Sequence, residues 1–101
     1  MMYRMLQNVR MAAPSTERFY MRAQSDFIDW CRFNAVRQPA SMEQVASYLN
    51  FVLTNNGARA VLARVSAIGN LYRTKGRQFD TKHPDIQEVL IKARQHIRAT
   101  S

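Results

Sequence analysis

The side chains able to do covalent or acid–base work are few in this sequence, and they stand apart. Cys31 is the only cysteine. It falls on one helical stripe with Phe27 and Trp30, where an inert buried thiol is expected rather than a nucleophile. His83 precedes a proline and His96 falls near a helix end; both read as surface residues. Neither has ligand partners at a suitable spacing, so no metal site is expected. Gly57, Gly69 and Gly76 are isolated, so no Gly-rich loop could cradle a phosphate. The acids are scattered, mostly near helix starts, where capping and the helix dipole account for them. No Ser, Cys or Tyr has a base placed beside it by sequence. Catalysis by this stretch of chain, and a bound cofactor, are therefore not expected.

What the chain does carry is positive charge. Fifteen Lys and Arg stand against seven Asp and Glu, a net charge of +8 in 101 residues. That excess points to a polyanionic partner. Nucleic acid fits better than a membrane, because the chain has no long apolar run and no strongly basic amphipathic helix. A basic surface kept only for solubility, or one that meets an acidic protein, explains the same count.

The elements that must position these charges are legible from spacing. In TERFYMRAQSDFIDWC, residues Tyr20, Ala23, Phe27, Trp30 and Cys31 recur at steps of three and four and form one apolar helical stripe. Ser15 is placed to cap this first helix, over 15–33. Its opposite stripe reads Arg18, Arg22, Ser25, Asp29, cationic only in its N-terminal half. A loop over 34–40 follows. Ser41 and Gln44 form a capping box for the second helix, whose buried stripe is Val45, Tyr48, Leu49, Val52 and Leu53. Asn55-Asn56-Gly57 ends it. The third helix, 58–75, has an apolar stripe of Val61, Val65, Ile68 and Tyr72, widened by Leu62 and Leu71. Its other side carries Arg59, Ala60, Ala63, Ser66, Ala67 and Asn70, small residues that would let the backbone lie against a groove. High helix propensity explains the alanines equally well. Gly76 ends this helix. Pro84 opens the fourth, 84–99, with Ile86, Val89, Leu90, Ala93 and Ile97 inward. Residues 1–13 read as a short Met-rich helix or a flexible arm.

One domain is expected from this length. A lone cysteine implies no disulfide framework, and no signal peptide is visible, so a cytoplasmic location is expected. No strand signal occurs. The fold class is all-α, a compact bundle of four main helices with a fifth short N-terminal one if residues 1–13 are helical. The chain stops just after a basic helix end, as though cut. A helix-turn-helix is disfavoured because the joints look too long for its tight turn.

Taken together, Thr16…Tyr20…Phe27-x-x-Trp30-Cys31, Pro39-Ala40-Ser41…Val45…Tyr48-Leu49, Val61…Val65-Ser66-Ala67-Ile68…Leu71-Tyr72…Gly76 and His83-Pro84…Ile86…Val89-Leu90…Ala93-Arg94 resemble the N-terminal core-binding domain of tyrosine recombinases, the phage integrase family. The likeness spans residues 15–98. It departs at Ala60-Val61, where the family commonly has Thr-Ile, and at Ala93-Arg94-Gln95-His96, where it approaches Gly-x-Arg-Arg. The resemblance implies a SAM-like helical domain over 15–101, preceded by an arm over 1–14. It implies half of a clamp on double-stranded DNA, with the catalytic domain of the same parent chain beyond residue 101. Tyr20, Tyr48 and Tyr72 are then core or core-edge residues and not nucleophiles. Carried over by position, Thr16, Arg18, Phe19 and Arg22 on the first helix become candidate DNA contacts, with Arg59, Ala60, Ala63 and Arg64 on the third. Residues 1–13 would reach a neighbouring recombinase protomer. A helical protein–protein interaction domain with a basic surface and no DNA role is the alternative.

Overall fold

Four helices account for most of the described residues: α1 (Pro14–Phe33), α2 (Met42–Asn56), α3 (Ala58–Thr74) and α4 (Pro84–Thr100). The structure is a computed structural model and describes residues 14–100. Residues 1–13, and with them the expected arm or short helix, lie outside the described residues. The first helix starts at Pro14, so Ser15 sits in its first turn rather than ahead of it. Proline is tolerated there because the amide it lacks has no partner in a first turn anyway.

The helix ends follow from local chemistry. At α2 the capping box forms: the Gln44 amide donates to Ser41 Oγ (3.1 Å) and the Ser41 amide donates to Gln44 Oε1 (2.9 Å). At the end of α3, Gly76 takes φ 70°, with Gly76 N bonded to Arg73 O (3.0 Å) and Arg77 N to Tyr72 O (2.8 Å). That pair of bonds is a Schellman motif. The same motif closes α1, with Val36 N on Cys31 O and Ala35 N on Arg32 O, but there the left-handed position is held by Ala35 at φ 57°.

The joint between α2 and α3 is Gly57 alone. The expectation that the joints are too long for a tight turn is wrong here; this one is shorter than the three or four residues of a helix-turn-helix. Gly57 has φ 98° and ψ 172°, a combination open essentially to glycine only.

The apolar stripes meet as read. Ala23, Phe27 and Cys31 of α1, Val45, Tyr48, Leu49 and Val52 of α2, Val61, Ile68 and Tyr72 of α3, and Ile86, Val89, Leu90 and Ala93 of α4 are all buried. Trp30 packs at the edge, its ring 5.5 Å from that of Tyr48, and Phe27 lies 5.0 Å from Tyr48 on the inner side. Two features depart from the reading. His83 is the N-cap of α4: its Nδ1 accepts from the Asp85 amide (3.1 Å), and its Nε2 sits 3.4 Å from Glu43 at the start of α2. Ala67, expected on an open small-residue face, is fully buried against α1. The Gln24 amide of α1 donates to Ala67 O (2.8 Å) and to Asn70 Oδ1 (3.2 Å), so this half of the small-residue stripe receives α1 rather than an outside groove.

Candidate nucleic-acid interface

Burying Ala23, Phe27 and Cys31 fixes which way the rest of α1 faces. Thr16, Arg18, Arg22, Ser25 and Asp29 are all exposed. Phe19, beside them, is a large apolar ring left 38% exposed. Arg18 and Arg22 make no ion pair among the described residues, so their charges face outward undivided.

Where α1 crosses α3, a cleft of about 390 Å³ opens, lined by Phe19, Arg22, Ala23, Ser25, Asp26, Asp29 and Arg64. It brings together three of the sequence-derived candidates, Phe19, Arg22 and Arg64, from two helices. Ala60 and Ala63 are half-buried on the same helix as Arg64. Arg59 goes elsewhere: it lines a separate cleft with Asn56, Gly57, Ala58, His96 and Ile97, where the α2–α3 joint meets the end of α4. Thr16 and Arg18 lie toward the N-terminal end of the same helix as the first cleft and do not line it.

Arg64 differs from Arg18 and Arg22, which make no ion pair among the described residues, in being held. Its NH1 donates both to Asp26 Oδ2 of α1 and to the Tyr48 hydroxyl of α2 (2.6 Å), while the Tyr48 hydroxyl donates to Asp26 Oδ2 (2.8 Å). The Arg64 side chain is 19% exposed and that of Asp26 53%. One polar triangle thus ties three helices, and two of its members, Asp26 and Arg64, line the cleft. Burial pushes the Tyr48 hydroxyl well above the ordinary tyrosine range, and the Asp26 carboxylate pushes it the same way against Arg64. Asp26 and Tyr48 were not among the sequence-derived candidates. They lie 38 and 16 residues from Arg64 in the chain, so no local spacing announces the triangle.

Two further groups, Cys31 and Tyr72, are buried away from this cleft. Burial pushes the Cys31 thiol up, against a hydrogen bond with Gln38. The Tyr72 hydroxyl, buried and donating to Ala40 O (2.6 Å), is pushed up to about 12. Among the described residues no group of three or more His, Cys, Asp or Glu could hold a metal ion. No helix among them is long and apolar enough to cross a membrane.

The chain is 32% identical over 82 residues to an integrase/recombinase xerD homolog of Selenomonas ruminantium. The similarity supports a tyrosine recombinase relationship. The match covers 80% of this chain and 24% of that protein, so the chain spans about a quarter of the length of the relative it matches. No family model and no solved structure matches the chain.

Proposed function

We propose that this chain is the DNA-binding core-binding domain of a site-specific tyrosine recombinase. The exposed face of α1 and the adjoining turns of α3 lie against duplex DNA. Catalysis belongs to a separate domain of the same parent chain, and residues 1–13 meet a neighbouring protomer. The observation that carries the reading is the shared cleft. Arg22 of α1 and Arg64 of α3, far apart in sequence, line one opening near Arg18, which makes no ion pair among the described residues, in a chain related to a recombinase. Exposed arginines such as Arg18 and Arg22 neutralise phosphates and release counterions.

Titrating labelled duplex DNA at several salt concentrations tests this. Binding should weaken steeply with salt, and Arg18→Ala and Arg22→Ala should each make the slope of log K against log salt shallower by about one. Salt-insensitive binding, or slopes unmoved by both changes, would remove the DNA role.

One observation favours the alternative, a protein-contact domain. Phe33 is 89% exposed and Phe51 48%, and with Trp30 they line an open recess of about 380 Å³ rimmed by Asp26 and Asp29. Exposed aromatics beside carboxylates suit a basic, apolar protein segment better than DNA. This recess begins where the cationic half of α1 ends, so both contacts fit on one domain.

A further inference from the structure

Arg64 was carried into the candidate set as a phosphate contact like Arg18 and Arg22, but its surroundings set it apart. Both of its hydrogen bonds leave from NH1 and end on Asp26 and Tyr48. The Asp26 carboxylate offsets its charge, which reduces what a phosphate would gain from it. The same two bonds fix the plane of the guanidinium and leave the edge made by Nε and NH2 as a fork of donors. An exposed, unpaired arginine is a mobile charge suited to phosphate. A partly buried arginine, neutralised on one edge and rigid on the other, suits an acceptor pair of fixed geometry, and the O6 and N7 atoms of guanine form such a pair on the major-groove edge. Arg64 also sits in the cleft that Arg22 lines on the α1 side.

We infer that Arg64 reads a guanine base edge rather than a phosphate, and that Asp26 and Tyr48 are the positioning residues that aim it. The inference rests on the DNA-binding reading above. It divides the candidate contacts into two kinds: Arg18 and Arg22 set affinity, and Arg64 sets sequence preference.

The test uses the whole chain and a pool of duplexes with a randomised centre, bound at low salt and sequenced, together with salt titrations. Wild-type protein should enrich a guanine at one position. Arg64→Ala should lose that enrichment and keep the wild-type salt slope. Arg64→Lys keeps the charge without the fork and should lose it too, which guards against an alanine variant that fails to fold. Tyr48→Phe keeps the ring in the core, removes only the hydroxyl, and should weaken the enrichment several-fold with the slope unchanged. Arg22→Ala should keep the guanine and lower the slope by about one. Enrichment surviving in Arg64→Lys, or a slope lowered by Arg64→Ala as by Arg22→Ala, overturns the inference. Salt-dependent wild-type binding with no preferred base overturns the inference and leaves the DNA-binding reading standing. Wild-type protein that does not bind the pool overturns both.

Discussion

The left-handed position that ends α1 is occupied by Ala35 at φ 57°, whereas the matching position after α3 is Gly76. An L-residue with a Cβ is strained there by roughly 1–2 kcal/mol, partly offset by the greater freedom glycine has when unfolded. Ala35→Gly should therefore stabilise the domain by about 0.5–1 kcal/mol, read from a urea midpoint that rises with no change in slope. His83 makes a second residue-scale case. It read as a surface histidine because histidine is not a common cap and the sequence cannot show which amide its ring meets. Its Nδ1 accepts from Asp85 N, which leaves the ring proton on Nε2, toward Glu43. His83→Ala should cost about 1 kcal/mol, and His83→Asn, which keeps a capping acceptor, should recover most of it in the same denaturation series.

At the scale of elements, the helices were legible because each carries both its period and its punctuation. Ser41 with Gln44 marks a start, Gly57 and Gly76 mark ends, and Phe27, Tyr48, Ile68 and Val89 fall where a buried face needs them. What spacing could not show was which helix covers which face. The alanine side of α3 looked open because small residues signal closeness without naming the neighbour; that neighbour is α1, through Gln24. The length of the α2–α3 joint was hidden too, since three residues tolerant of a left-handed backbone stand in a row and only Gly57 adopts a positive φ among them. Nothing lies within 4 Å of a Cβ built on Gly57, so crowding plays no part in its requirement. Gly57→Ala should still destabilise the fold by roughly 1–3 kcal/mol from backbone strain alone. A thermal or urea midpoint unmoved by the change would show that the joint has another conformation open to it.

Across the whole molecule, charge and burial divide the surface and the core. The net charge of +8 was plain from composition, and so was the basic face of α1. The sequence grouped the arginines of α1 and α3 on one side, and the structure divides them: Arg22 and Arg64 share a cleft, while Arg59 lies in another. The core also has a pH signature. Tyr72 titrates near 10 when unfolded and is pushed up to about 12 by burial, so the neutral hydroxyl is favoured in the folded state. Its contribution is present in full below pH 10 and is lost as pH rises toward 12, roughly 2–3 kcal/mol over that span. Tyr48 is shifted in the same direction. Urea unfolding between pH 8 and 11.5 should show stability falling above pH 10, less steeply in Tyr72→Phe; a flat profile would contradict the assigned burial.

The single-residue hinge at Gly57 has a rotational consequence. Each residue of an α-helix advances the chain by about 100° around its axis. With no slack between α2 and α3, the two helices are meshed like gears, and adding one residue at the hinge would turn every α3 side chain out of phase. Arg64 would swing away from Asp26, and Ile68 would leave the interior with it. A lengthened hinge should therefore break the Arg64–Asp26 contact and unseat the core in one stroke.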